Sequence, residues 1–234
     1  MLHVERGGNG PLLVLLHGLG ATGEVWQDVV AGWSGSWLVP DLPGHGRSAP
    51  LDRYSFGSIA AAVAEVVPRE PVTVVGHSLG GVVGLTLASG WFGVDVRTCV
   101  GIGIKVRWTD DELAKAASLA QKPAKVFETR DEAVQRASKM AGVPIAHGVS
   151  EVDGGWTPSL DMRAFGVGRP DMAGLVMASQ AHVVLAAGEN DPMSPQEHLA
   201  ELVPEPVAFP GLGHNVHVES PSSVSLLLSG PTRR

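Results

Sequence analysis

Cysteine is nearly missing from this chain: its 234 residues include one, Cys99. That excludes an intrachain disulfide, and the setting Thr98-Cys99-Val100-Gly101-Ile102 makes Cys99 a small core hydrophobe rather than a reactive thiol. Runs of basic residues are missing too, apart from the terminal Arg233-Arg234, and 17 Lys and Arg against 24 Asp and Glu leave a net charge of −7. A nucleic-acid partner would call for the opposite footprint. No apolar stretch reaches the roughly 18 residues that a membrane span requires. Met1-Leu2-His3-Val4-Glu5-Arg6 is charged and meets Gly7-Gly8 before the apolar segment of a secretory signal can form. Internal repeats and low-complexity linkers are absent as well. These absences lead to the expectation of a soluble, cytoplasmic protein with neither nucleic acid nor membrane as partner.

What the chain does contain is 44% hydrophobic residues, 30 glycines and only 18% charged residues, the composition of an ordered, turn-rich globular protein. The length suits one large α/β domain, or one core with an inserted subdomain. Leu12-Leu13-Val14-Leu15-Leu16 is apolar without alternation, as expected of a strand covered on both faces in a parallel sheet. Further strands are expected at Leu2 to Glu5, Trp37 to Val39, Pro71 to Val75, Val94 to Ile104, His182 to Ala187 and Val207 to Phe209. Helices are expected at Glu24 to Val30, Ser58 to Val67, Pro195 to Leu202 and about Ser220 to Leu228. The alternation breaks after Ile104. There, helices over Asp110 to Gln121, Asp131 to Met140 and Met172 to Ser179 surround an irregular stretch from Gly142 to Gly168, with no clear strand signal. The expectation is a core of residues 1–104 and 180–234 with a helical cap of residues 105–179 inserted over the carboxyl end of the sheet.

The chain is organised around Gly76-His77-Ser78-Leu79-Gly80, which joins an apolar run to a small-residue helix. This G-x-S-x-G pattern between strand and helix is that of a sharp turn holding a serine exposed as a nucleophile. A serine hydroxyl needs a base to remove its proton, and the base works better when a carboxylate fixes its tautomer. His214, in a glycine-rich loop after the last expected strand, is the best-placed base, with His217 as its rival. Asp191, at the carboxyl end of another strand, is the best-placed acid, with Asp110 and Asp111 as alternatives. The order Ser78, Asp191, His214 matches the Ser, acid, His order of nucleophile-elbow enzymes. The backbone N–H groups of Leu79 and of Leu19, just after His17-Gly18, are the natural donors for an oxyanion. In the loop from Asp41 to Ser48, proline and glycine density points to a structural role for Asp41 and His45.

Five motifs in order carry a resemblance: His17-Gly18, Asp41-Leu42-Pro43-Gly44-His45-Gly46-Arg47-Ser48, Gly76-His77-Ser78-Leu79-Gly80-Gly81, Gly188-Glu189-Asn190-Asp191-Pro192 and Gly213-His214-Asn215-Val216-His217. Together they resemble the α/β-hydrolase superfamily, and within it the small capped bacterial carboxylesterases and lactonases. The resemblance implies an α/β-hydrolase fold, a mostly parallel sheet flanked by helices. It implies Ser78, Asp191 and His214 as triad, Leu19 and Leu79 as oxyanion donors, and structural roles for Asp41, His45 and His217. The reaction it implies is hydrolysis of small-molecule carboxylic esters, lactones or thioesters through an acyl-enzyme, with no metal or cofactor. Carbon–carbon bond hydrolysis, a lyase step, or a ligand receptor without turnover could use the same residues. Ser78 argues against the aspartate nucleophile of epoxide hydrolases and haloalkane dehalogenases. Trp108, Trp156 and Phe165 of the expected cap are candidates to line the substrate pocket; Lys105, Arg107 and Arg163 could meet a substrate carboxylate or phosphate.

Overall fold

A computed structural model describes residues 1–229; the terminal Arg233-Arg234 pair lies outside the described residues. The elements run β1 (Val4–Gly7), β2 (Leu12–Leu16), a 3-10 turn (Gly23–Trp26) leading into α1 (Gln27–Ala31), β3 (Ser36–Pro40), α2 (Phe56–Ala64), β4 (Val72–His77), α3 (Leu79–Ala88) and β5 (Val96–Ile102). An inserted segment follows, with α4 (Asp110–Ala120), α5 (Arg130–Ala141), β6 (Val149–Val152), β7 (Gly155–Pro158), a 3-10 turn (Met162–Gly166) and α6 (Met172–Ala178). The chain then returns through β8 (His182–Gly188), α7 (Gln196–Leu199), β9 (Val207–Phe209), α8 (Val216–Glu219) and α9 (Pro221–Ser229).

Seven strands form one sheet in the order β1-β3-β2-β4-β5-β8-β9, parallel throughout except for β1, which pairs antiparallel with β3 at the edge. Every residue of β2 is buried, which is why the run shows no alternation. In α3 all ten residues are buried, because the helix lies against the sheet with α2 and α6 beside it. Each fully buried Val or Leu here contributes about 1.5–3 kcal/mol from loss of water contact.

Several element ends differ from expectation for local reasons. Helix α2 starts at Phe56 because Ser55 and Ser58 form a reciprocal capping box. Strand β5 stops at Ile102 because Gly103 turns into the left-handed region at φ 63°. The last expected helix is α9, which Pro221 begins, and a short helix α8 that was not expected precedes it. The largest correction concerns the inserted segment, which is not purely helical. Strands β6 and β7 form an antiparallel hairpin whose two-residue turn is Asp153-Gly154, with Gly154 at φ 85° and the first strand residue Gly155 at φ 141°. Helix α4 begins at the expected Asp110 and α5 one residue before the expected Asp131, each with a Thr-Glu capping box: Thr109 with Glu112, and Thr129 with Glu132.

Candidate active site

Ser78 stands between β4 and α3 with φ 49° and ψ −113°, the one non-glycine residue at positive φ among the described residues. Such a conformation costs on the order of 1–3 kcal/mol and persists only when its surroundings hold it. The holding is visible on both sides. The Ser78 amide donates to the Ile102 carbonyl at 2.8 Å, and its own carbonyl accepts from Gly81 N at 3.0 Å and Val82 N at 3.2 Å. The flanking glycines are required by close approach: a Cβ on Gly76 would collide with the Gly80 carbonyl, and one on Gly80 with the Leu16 carbonyl.

At the same edge of the sheet, the loop after β9 presents His214 and the end of β8 presents Asp191. His214 Nδ1 lies 2.8 Å from Asp191 Oδ2, and the Asp191 side chain is fully buried behind it. An ionised carboxylate only accepts, so the proton of this bond lies on Nδ1. The other carboxylate oxygen accepts from Met193 N at 2.9 Å, which fixes the acid as well. Asp191 thus meets His214 and not His217. His217 is buried, with its ring 4.5 Å from that of Trp26 and 4.4 Å from that of His77, and burial pushes its pKa down to about 3. Asp110, the alternative acid, pairs instead with Arg169 at 2.9 Å on the far more exposed start of α4.

Leu19 and Leu79 face the same cavity as Ser78 and His214. Leu79 is the first residue of α3, so its N–H has no acceptor within the helix. The Leu19 loop is held by His17, whose Nδ1 donates to the Gly18 carbonyl at 2.8 Å while its Nε2 accepts from Leu42 N at 2.8 Å. Burial lowers the pKa of His17, which keeps it neutral and able to make both bonds. His77 is likewise held neutral by burial, its pKa well below the ordinary value, and its Nε2 lies 3.0 Å from the His214 carbonyl oxygen. Asp41 accepts from Gly23 N at 2.8 Å and Arg47 N at 2.9 Å, the loop-building role expected of it.

The cavity measures about 730 Å³. Trp108 and Phe165 line it, with Met140 and Leu113. Trp156 does not line it: it lies in β7, where its backbone exchanges hydrogen bonds with Phe127 at 2.7 and 2.8 Å. Its placement follows from the hairpin, whose pairing the sequence reading lacked. Of the three cations singled out from sequence, Arg107 is paired with Glu201 and Arg163 with Asp161, both away from the cavity, while Lys105 lines it.

Two groups escaped the sequence reading. Glu219 accepts from Gly213 N at 2.7 Å and from Asn215 N at 3.0 Å, so a single carboxylate grips the backbone on both sides of His214. A glutamate five residues beyond the histidine was the available signal. Glu24 accepts from Ala146 N at 3.0 Å and His147 N at 3.1 Å, tying the inserted segment to the core. The loop from Asp41 to Ser48 makes a second tie, through Gly46 N to Ser159 O at 2.8 Å and Asp161 N to Gly44 O at 2.7 Å. Among the described residues, no group of three or more His, Cys, Asp or Glu is placed to hold a metal ion, and no helix is long and apolar enough to cross a membrane.

A serine forced into the left-handed region where a strand turns into a helix is the geometry of a nucleophile elbow, and on a mostly parallel sheet that turn defines the α/β-hydrolase class. The chain belongs to the Alpha/beta hydrolase family, whose family model matches residues 13–225. Among curated proteins it is similar to the pimeloyl-[acyl-carrier protein] methyl ester esterase of Methylococcus capsulatus, 44% identical over 89 residues that make up 37% of this chain and 35% of that protein. It is also similar to the magnesium-chelatase 30 kDa subunit of Rhodobacter capsulatus, 41% identical over 87 residues, or 34% of this chain and 31% of that protein. The chain spans about a third of the length of these curated relatives. Solved structures extend the likeness of fold to nearly the whole chain. E-2-(acetamidomethylene)succinate hydrolase superposes with a TM-score of 0.82 at 23% identity, covering 97% of this chain and 93% of the other. A thioesterase domain from the curacin biosynthetic pathway gives 0.78 at 20% identity, covering 97% and 95%.

Proposed function

We propose that this protein hydrolyses carboxylic esters, with thioesters and lactones as related substrates, through an acyl-enzyme on Ser78. The observation that carries the reading is the hydrogen-bonded His214–Asp191 pair at the cavity that the strained Ser78 also lines. Ser78 Oγ attacks the carbonyl carbon as His214 Nε2 takes its proton; the buried Asp191 stabilises the imidazolium. The carbonyl electrons move to oxygen, where the N–H groups of Leu19 and Leu79 stabilise the oxyanion, each such donor being worth about 2.7–4 kcal/mol of barrier. The carbonyl to leaving-group bond breaks, and His214 gives the proton to the departing alcohol or thiol. Water, deprotonated by His214, then releases the acid and restores Ser78. Residues 105–179 serve as a cap that supplies the far wall of the cavity. The named esterases among the relatives support the ester class.

The test is a panel of p-nitrophenyl esters, lactones and acyl thioesters against the purified chain and its Ser78→Ala variant. Turnover should fall by about 10⁶-fold in the variant while the melting temperature holds. Equal turnover by the two proteins would rule out Ser78 as the nucleophile. A fluorophosphonate that labels the wild type but not the variant would mark an activated serine, and multiple turnover separates an enzyme from a receptor on the same scaffold.

A further inference from the structure

The cavity has a feature that ester chemistry at Ser78 does not use. Apart from histidines, the charged side chains that line it are Lys105, Lys139 and Arg169, all three cations; no Asp or Glu is among the lining residues described. The chain as a whole has the opposite bias, with 24 acidic residues against 17 basic. The three cations come from separate places, the chain just after β5, the last turn of α5 and the loop before α6, so their convergence is a product of the tertiary fold.

Their existing partners differ. Lys105 is committed to an ion pair with Glu112, and its ammonium sits 5.0 Å from the centre of the Trp108 ring. Arg169 meets Asp110 at 2.9 Å, but the Asp110 side chain is 99% exposed, and a pair of that kind contributes only about 0–1 kcal/mol. A ligand anion can displace it at little cost. Lys139 has no ion-pair partner among the described residues. The turn that carries Lys139 also abuts the reaction centre. Asn215, next to His214, reaches the Gly142 carbonyl at 3.5 Å, and a Cβ on Gly20, next to Leu19, would lie 3.5 Å from Met140.

We propose that Lys139 and Arg169 make this cavity selective for anions, so that the preferred ester carries a negatively charged group, a carboxylate or a phosphate, besides the scissile carbonyl. The inference rests on the reading of Ser78, Asp191 and His214 as an esterase triad. The physical reason is that a neutral ester gains nothing from two solvent-side cations, whereas an anionic one is drawn to them, and the apolar wall beside them lowers the local dielectric and strengthens the attraction.

The experiment compares kcat/KM for four p-nitrophenyl esters of equal chain length, ending in a methyl, a carboxylate, a phosphate or an ammonium group. For the wild type, one or both anionic esters should exceed the methyl ester by about 10-fold or more, and the ammonium ester should fall below it; whichever of carboxylate and phosphate is preferred identifies the anion. Lys139→Glu should lower the anionic-to-neutral ratio by about 10-fold and Arg169→Gln by about 3-fold, and added salt should lower it in the wild type. Lys115→Gln, which removes an exposed charge of α4 outside the cavity, should leave the ratio unaltered. Circular dichroism and melting temperatures verify that each variant folds, and competitive inhibition of methyl-ester turnover by a free dicarboxylate or an alkyl phosphate gives an independent reading in the wild type. Turnover of the methyl ester with an anionic-to-neutral ratio near or below one, or a ratio indifferent to both substitutions, overturns the subsite and leaves the esterase standing. Absence of turnover of all four esters overturns the esterase reading itself.

Discussion

The sheet core and the inserted segment are built to different depths. In the core, β2 is buried at every residue and α3 around its whole circumference; in the insert, α4 has no buried residue and α5 buries only Ala133 and Ala137. The core places its site groups at the ends of deeply packed strands, so Ser78, Asp191 and the Leu19 loop are anchored by backbone that cannot shift without breaking the sheet. The insert meets the core through apolar contacts, such as the buried Met172 of α6 and Ile145, and through polar ties, Glu24 to Ala146 and His147 among them. The proposed chemistry thus rests on the deeply packed part, and the proposed substrate choice on the part with fewer buried residues.

The sharpest test of that division is Asp191→Asn, expected to lower kcat by about 10⁴-fold by presenting His214 in the wrong tautomer, with KM little altered in steady-state kinetics. Packing depth is tested next by truncation. Leu15→Ala in β2 should cost about 2–5 kcal/mol of unfolding free energy, whereas Leu119→Ala in α4 should cost about 1 kcal/mol or less; equal costs in urea melts would erase the contrast.

Acid should also strike the core first. His45 and His217 have pKa values pushed from 6.5 to about 3 by burial, and burial lowers those of His17 and His77 too. In the unfolded chain these histidines take up protons below pH 6.5 while the folded forms resist. The stability that His45 and His217 carry is therefore complete above 6.5 and lost as pH falls toward 3, by about 1.4 kcal/mol per pH unit for each of these two. The slope of stability against pH should become shallower by that amount in His217→Gln.

Smaller effects separate positioning from packing. Glu219→Ala should lower kcat by about 10-fold and shift the pH–rate profile by loosening the His214 loop, and Glu219→Gln, which keeps one acceptor oxygen, should recover part of the loss. Glu24→Gln should change KM by roughly threefold with kcat and melting temperature held, because it loosens the insert alone.

The parts of the fold legible in the sequence were those written in local chemistry. Unalternating apolar runs marked the central strands, the break in alternation after Ile104 marked the insert, and the G-x-S-x-G turn marked Ser78. The β6–β7 hairpin was not legible, because two four-residue strands around the Asp153-Gly154 turn show no period long enough to separate them from loop. Trp156 was assigned to the cavity on bulk alone, and the hairpin directs it elsewhere. Glu219 was passed over because its partners are backbone amides, which leave no trace in side-chain composition.

The sequence by itself determined the order of strand ends and which residue types stand at them, because burial and turn chemistry act over a few neighbouring residues. Only the tertiary structure decided that Asp191 meets His214 rather than His217, that the loop from Asp41 to Ser48 docks the insert, and that Lys105, Lys139 and Arg169 share one cavity. Each of these depends on contacts between residues far apart in the chain, and such contacts are set by how the sheet and the insert pack.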